Sequence, residues 1–402
     1  MKSTREIAIR ARNTTWLGFG LLGVLSNAWV PRIPEVKHTL HLSNSQFGLS
    51  LAAGPAGAVI GAQLAGRFIH KFGSRWVLVL GGLEMASGIF MLGMATTQKQ
   101  LMFAIFLQSI GYGCADTALN TQGVAVEVHT ERKYMSGFHG AWSVGALLAV
   151  VSGGILSHHI STRANICGAA VIAFMTFIPT IFTFLPESLD RHEGDEAGLK
   201  GKIKLFERKT FILWALGFGL LGCLIPEAAA MDWSGILLHE HMGLQKGVDS
   251  IAFAVFGITM IIGRFSGDKL MMKFGAEKVV KLGGYIGGIC MGVSIALAVP
   301  LASWNKTVAL IIISIGFGIA GFGIAPMVPA FISAAGKIPG IAPSVAIARI
   351  GIIGIFSYFM GPTIIGGLAD LVTLPGAMAF PVGVLLLAGY LSRTVRAQEV
   401  KQ

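Results

Sequence analysis

The run LGFGLLG occupies residues 17–23 and returns at residues 216–222. Two shorter runs repeat in the same order along the chain: KFG at 71–73 and 273–275, and IGYGCA at 110–115 beside the similar IGFGIA at 315–320. The two copies are offset by 199, 202 and 205 residues in turn. Three matches in order, at a nearly constant offset, indicate that the 402-residue chain contains an internal duplication.

Hydrophobic residues make up 53% of the chain and charged residues only 13%. Soluble domains carry about 25% charged residues. The chain therefore lacks the charge to cover a surface in water, and we expect lipid to be its main solvent. The 54 glycines fit the same environment, because small residues let membrane helices approach closely.

Apolar segments long enough to cross a bilayer, about 20 residues each, recur twelve times. The predicted spans are 13–30, 45–68, 76–95, 101–126, 136–156, 165–185, 211–231, 249–271, 280–300, 307–332, 342–367 and 374–392. Proline or glycine could interrupt helices 4, 10 and 11 of this set. Together with the duplication, the spans predict an all-α membrane protein with twelve transmembrane helices in two pseudo-symmetric six-helix bundles. The bundles are residues 1–185 and 211–402, and a cytoplasmic linker at 186–210 joins them.

Lysine and arginine indicate the orientation of such a protein, because cytoplasmic loops collect them. Of the 31 in this chain, six fall in the loops assigned to the outside: Arg32, Lys37, Lys99, Arg163, Lys246 and Lys306. We therefore expect a multi-pass protein of the cytoplasmic membrane with both termini in the cytoplasm. The same bias explains the net charge of +11, so no nucleic acid partner is expected.

The loop between helices 2 and 3 carries a motif that resembles the major facilitator superfamily. The family pattern is Gly-x-x-x-Asp-Arg-x-Gly-Arg-Arg, and this chain has Gly66, Lys71, Gly73 and Arg75 at matching positions, with His70 in place of the aspartate. In the family this loop steadies the cytoplasmic gate. The resemblance implies a transporter fold and gating roles for these five residues.

Two further segments resemble the fucose–proton symporter branch of that superfamily. They are Cys-Ala-Asp-Thr-Ala-Leu-Asn at 114–120 and Asn-Ala-Trp-Val-Pro-Arg-Ile-Pro at 27–34. The branch has an acid in helix 4 followed four residues later by asparagine, which matches Asp116 and Asn120. Its helix 1 acid is absent here, where Asn27 is the nearest polar residue. The resemblance implies a sugar-like solute and coupling to protons.

Asp116 is the main candidate for proton coupling. Tyr112, Asp116 and Asn120 recur every four residues, which stacks them on one face of helix 4. A charge at mid-bilayer costs roughly 2.5 kcal/mol or more, so intramembrane acids face a wet cavity or a partner and usually serve function. The alternative is a structural hydrogen bond to a neighbouring helix.

Glu227 is the second candidate for proton coupling. It follows Pro226, which we expect to break helix 7 and free backbone carbonyls. The alternative is a contact at an extracellular gate. Asp232 and Trp233 lie near the predicted membrane surface, where we expect the acid to be solvated and the tryptophan to lie in the interfacial belt.

Arg349, inside helix 11, has three open interpretations: binding of an anionic substrate, pairing with an acid at the cytoplasmic gate, or snorkelling to the inner surface. His139 could relay protons or be structural. Hydrogen-bonding and stacking contacts with the solute are predicted for Asn27, Tyr112, Asn120, Gln122 and Trp142.

The sequence contains no P-loop, no HExxH motif, no G-x-S-x-G and no paired cysteine cluster. It therefore predicts no enzyme, no cofactor and no metal site. We expect a monomeric secondary active transporter that moves a small, polar, sugar-like solute together with protons by alternating access. The alternatives are a proton-driven exporter of drugs or metabolites on the same fold, and a non-transporting receptor.

Overall fold

The computed structural model describes residues 4–132, 134–190, 211–338 and 343–395, and it confirms the all-α prediction. The helices before the predicted linker are α1 (Thr4–Asn27), α2 (Ile33–Thr39), α3 (Asn44–Leu51), α4 (Ala53–Phe72), α5 (Ser74–Met94), α6 (Gln98–Thr130), α7 (Met135–Leu156), α8 (Thr162–Thr180) and α9 (Glu187–Asp190). Those after it are α10 (Phe211–Ile236), α11 (Ile251–Phe274), α12 (Ala276–Leu301), α13 (Lys306–Ile324), α14 (Met327–Gly336), α15 (Pro343–Leu371), α16 (Leu374–Ala377) and α17 (Ala379–Tyr390).

Residue contacts divide the described chain into two compact units. The first unit takes in the residues up to Leu42 and those from Leu49 to Asp190. The second takes in Ser43–Gly48 and the residues from Phe211 onward. Beyond Asp190 the predicted linker at 186–210 lies outside the described residues, so its course stays a prediction.

Ten helical segments of the described chain are long and apolar enough to cross a membrane. They coincide with ten of the twelve predicted spans. The other two, 13–30 and 101–126, lie on α1 and α6, which are helical but carry more polar or charged residues. α6 has 33 residues, and a row of polar side chains crosses its middle. Asp116 and Asn120, two residues singled out for function, are among those that make α6 less apolar.

Proline affects two of the predicted spans differently. Our expectation that Pro226 breaks helix 7 is wrong, because α10 continues through it. The tenth predicted span, 307–332, is interrupted. Within it α13 ends at Ile324 and α14 begins at Met327, with Pro326 between them. Irregular backbone at membrane depth is tolerated where it is buried in protein or lines a cavity. The break at Pro326 therefore marks a place to look for one.

The duplicated KFG runs fold alike in the two units. Gly73 follows α4 with a φ of +79°, and Gly275 follows α11 with a φ of +81°. L side chains rarely adopt this backbone conformation, whereas glycine adopts it readily. The repeat in the sequence thus corresponds to the same helix–turn–helix geometry in each unit.

Close contact between α1 and α7 positions the helices around α6 in the first unit. A Cβ atom added to Gly23 would lie 2.1 Å from the carbonyl oxygen of Trp142, and one added to Gly145 would lie 2.1 Å from that of Gly20. No larger side chain fits at either position without moving the backbone. Membrane helices gain packing energy by this kind of approach.

Candidate functional site

Asp116 lies half-buried at the centre of α6, with Tyr112 one turn before it and Asn120 one turn after. The Asn120 side-chain nitrogen donates a hydrogen bond to the backbone carbonyl of Asp116 at 2.8 Å. The predicted row of three polar residues, one per helical turn, is therefore formed, and its acid remains partly accessible.

His139, on α7, is a titratable neighbour of this row. Its side chain is exposed and lies within electrostatic reach of the Asp116 carboxylate. The His139 ring packs edge-on against Phe19 of α1, with 5.1 Å between the ring centroids. The structure thus brings an acid, an amide, a phenol and an imidazole together within the first unit. Such a set can bind and pass protons if water reaches it.

Asn27 and Trp142 lie along the contact between α1 and α7. Asn27 is buried, and its side-chain nitrogen donates to the carbonyl of Gly23 in its own helix at 3.1 Å. The indole nitrogen of Trp142 has no hydrogen-bond acceptor within the described part of the chain. A buried donor without an acceptor is costly, so Trp142 is the better candidate of the two for a solute contact.

Gln122 takes part in a different network from the Asp116 row. Its side chain is fully buried and donates to Ser74 Oγ at 2.7 Å and to the carbonyl of Leu185 at 3.2 Å. Its oxygen accepts from the backbone nitrogen of Leu185 at 2.9 Å. These bonds tie α6 to the start of α5 and to the segment after α8. Both ends of the amide are occupied by the protein, so we leave Gln122 out of the proposed site.

Asp190 completes that network. Its carboxylate accepts hydrogen bonds from the backbone nitrogen of Ser74 at 2.7 Å and from Ser74 Oγ at 2.5 Å, at the first turn of α5. Burial raises the pKa of Asp190, the charge of Glu187 adds to the rise, and Ser74 and Arg75 oppose it. A carboxylate at a helix N-terminus also satisfies free backbone donors.

The raised pKa of Asp190 predicts a pH effect on stability. At a pH just above the ordinary pKa of aspartate, Asp190 still holds a proton in the folded state, whereas it has lost that proton in the unfolded chain. Acidification from neutral pH therefore stabilises the fold. We expect the melting temperature of the wild type to rise, relative to that of Asp190→Asn, as the pH falls from 7 to 5. A difference that stays constant over this range contradicts the assignment.

The predicted gating residues of the first unit lie at the junction of α4 and α5. Gly66, His70 and Lys71 are exposed, and Gly73 makes the turn. Arg75 is half-buried, with its guanidinium 5.8 Å from the ring centre of Trp76. Their gating roles stay predictions, as does the role of Arg349, which is half-buried in α15. Its three interpretations remain open.

Glu227 lines a cavity of about 350 Å³ in the second unit. Its carboxylate lies 3.5 Å from the guanidinium of Arg264 on α11, and their side chains are 27% and 45% exposed. Asp268 lines the same cavity one turn further along α11, and Pro326 places the break between α13 and α14 in its wall. An ion pair between two membrane helices is thus open to a space that could hold a small ligand.

Arg264 and Asp268 were not among the predicted site residues. Each lies inside the predicted span 249–271, and a charge within a span is itself a signal for function. Their four-residue spacing also places them on one face of the helix. That signal was available in the sequence. The contact of Arg264 with Glu227 was not, because it depends on how two helices pack.

Asp232 and Trp233 differ from expectation. Asp232 is buried and not solvated, and Trp233 is fully buried and does not lie in an interfacial belt. The Trp233 ring packs edge-on against Phe47, with 5.5 Å between the ring centroids. These residues belong to the core of the second unit because α10 continues through Pro226 to Ile236.

Comparison with known proteins gives concordant results. The family model of the Major Facilitator Superfamily matches residues 15–342. An uncharacterised MFS-type transporter of Yersinia pestis is 29% identical over 377 residues, which are 93% of this chain and 92% of that protein. Multidrug resistance protein 2 of Bacillus subtilis is 24% identical over 290 residues, 70% of each chain.

The structure of a D-xylose-proton symporter is also similar. It superposes with a TM-score of 0.71 and 17% sequence identity, and the match covers 96% of this chain and 97% of the other. At this identity the likeness concerns the fold alone. It supports the helical arrangement within the chain and leaves the solute to be argued from the site.

Proposed function

The chain belongs to the major facilitator superfamily, a family of membrane transporters and not of enzymes, and we propose that it moves a small polar solute, sugar-like in chemistry, across the cytoplasmic membrane together with protons. Alternating access of the two bundles would expose the solute site to each side in turn. We place both termini in the cytoplasm and expect a monomer surrounded by lipid.

The observation that carries this proposal is the pair of polar sites within apolar helices. Asp116 in α6 and Glu227 in α10 are acids at membrane depth, each with a cationic or titratable neighbour. Polar groups at that depth are costly and are retained for substrate or ion pathways. A carboxylate that accepts and releases a proton can couple solute binding to the proton gradient.

The resemblance of residues 114–120 to the fucose–proton symporter branch favours a sugar-like solute. The row of Tyr112, Asp116 and Asn120, with the free indole nitrogen of Trp142, offers hydrogen-bond donors and acceptors to hydroxyl groups. A sugar requires several such groups because its own hydroxyls must remain satisfied when it leaves water. The membership in that branch is part of the proposal.

Export of drugs or metabolites is the second candidate function. Two observations favour it: the similarity to Multidrug resistance protein 2 of Bacillus subtilis, and the mainly apolar wall of the cavity beside Glu227. The two candidates differ in the solute and in its direction relative to the protons. One assay can therefore separate them.

The test is a transport screen with the purified full-length protein in liposomes. A pH gradient is imposed, and the uptake of labelled sugars, polyols, amino acids and amphipathic cations is measured against protein-free liposomes. Uptake of a sugar or polyol towards the alkaline side supports the first candidate. Accumulation of a cation on the acidic side supports the second. No gradient-dependent movement of any solute contradicts proton-coupled transport.

A further inference from the structure

The walls of the cavity in the second unit are mostly apolar. Eight of its eleven lining residues have no side-chain group that forms strong hydrogen bonds. The largest of these are Met260, Met271, Ile324, Pro326, Val328 and Pro329. Methionine side chains are flexible and polarisable, so they adapt to apolar ligands of different shape. Most of the surface that a ligand would touch therefore favours a hydrocarbon body.

The polar side chains of the same wall are all charged. Arg264, Glu227 and Asp268 are the three charged side chains that line the cavity. With all three ionised, two carboxylates face one guanidinium, which leaves one negative charge in excess. Glu227 lies 3.5 Å from Arg264, whereas Asp268 has no ion-pair or hydrogen-bond partner within the described chain. The excess charge is therefore centred on Asp268.

Charge and polarity together select the kind of ligand. A sugar would leave most of its hydroxyl groups against apolar wall, at a cost for each one that is not hydrogen-bonded. An organic anion would meet the excess negative charge. An inorganic cation would have to exchange its hydration shell for two carboxylates and a wall of methyl groups. An organic cation fits both parts of the wall, because its ammonium group meets the excess negative charge and its apolar body meets the apolar residues.

We propose that this cavity binds a small organic cation, with its ammonium group beside Asp268 and Glu227 and its apolar body against the two methionines and the proline-bounded break. The proposal rests on the second candidate function, proton-driven export, and assigns a substrate class to the Glu227 site. A volume of about 350 Å³ is at the lower end for small-molecule sites. We therefore expect a ligand no larger than one ring with a short side chain.

Charge balance would then link the cation to protons. With Arg264, Asp268 and ionised Glu227 present, binding of a monovalent cation makes the set neutral. With Glu227 protonated and no cation bound, the set is neutral as well. The cavity can thus hold either a cation or a proton without a net charge, so one can replace the other. Arg264 and Asp268 are exposed, so water screens part of their charge. This exchange corresponds to cation–proton antiport.

The test is binding of radiolabelled benzyltrimethylammonium to the purified full-length protein in detergent. This probe has a permanent positive charge and one aromatic ring. Two competitors separate its features: choline has the same head group without the ring, and phenylmethanesulfonate has the ring with a negative tetrahedral head group. We expect saturable binding that neither competitor displaces at the concentration at which unlabelled probe does.

The matched variants are Asp268→Asn in the cavity and Glu277→Gln outside it. Each removes one carboxylate near the junction of α11 and α12, so the change in overall charge is the same. Asp268→Asn should weaken binding about tenfold or more, as expected for the loss of a charge a few ångströms from an ammonium group. Glu277→Gln should bind as the wild type does. Melting temperatures confirm that both variants are folded.

Three results overturn the proposal: no saturable binding, displacement by the sulfonate as effective as by the cation, or unchanged binding in Asp268→Asn. The proposed function is tested separately, because binding in detergent requires no transport. A protein that carries sugars in liposomes but does not bind the probe refutes the cation site alone. One that binds the probe as predicted but moves no solute refutes the transport proposal alone.

Discussion

Asp116→Asn is expected to abolish accumulation of the transported solute against its gradient. The amide keeps the hydrogen-bonding shape of the acid but cannot take up or release a proton. A pH difference of one unit corresponds to about 1.4 kcal/mol, which sustains about a tenfold solute ratio at one proton per solute. In the variant the ratio should fall to about one, while downhill exchange of labelled for unlabelled solute continues.

The measurement is the steady-state solute ratio in liposomes under an imposed pH gradient. Glu84→Gln is the matched control, since it removes a carboxylate from the interior of α5, outside the row on α6. The control should accumulate solute as the wild type does. If Asp116→Asn still accumulates solute, then Asp116 has a structural role and the coupling lies elsewhere.

Glu227→Gln is expected to lower the transport rate at least tenfold and to lower stability as well. It leaves the Arg264 guanidinium without its counter-ion at membrane depth. Complete burial would make that cost about 3–5 kcal/mol. Because the Arg264 side chain is 45% exposed, water screens the charge and we expect about 1 kcal/mol.

The double variant Glu227→Gln, Arg264→Gln separates the two effects. It restores charge balance, so its melting temperature should return towards the wild-type value. Transport should remain low, because the carboxylate that binds the proton or the solute is still missing. Recovery of transport together with stability would show that the pair only maintains the fold.

The fold could be predicted from the sequence because two independent patterns agree. The length of the hydrophobic segments predicts the spans, and the repeated KFG and glycine-rich runs fix the register of the two halves. Pro226 was misjudged since a single missing N–H does not decide whether a helix continues. The packing of Trp233 and Asp232 around the end of α10 follows from that continuation.

The site could be predicted only in part. Periodicity along one helix correctly groups Tyr112, Asp116 and Asn120. It could also have excluded Gln122, which lies two residues beyond Asn120 and so about 200° around the helix. Periodicity cannot show that Glu227 of α10 meets Arg264 of α11, because that contact depends on interhelical packing. The cavity required the break at Pro326, whose neighbours in space the sequence does not reveal.

The central claim, transport coupled to protons through an intramembrane acid, is tested most directly by the pH change that a solute gradient causes. Liposomes containing the wild-type protein and a trapped pH-sensitive dye receive the solute identified in the screen, with no imposed pH gradient. We predict a change of internal pH that begins with solute addition, saturates with solute concentration and is absent in Asp116→Asn. Solute uptake by the wild type with no change of internal pH would contradict the account.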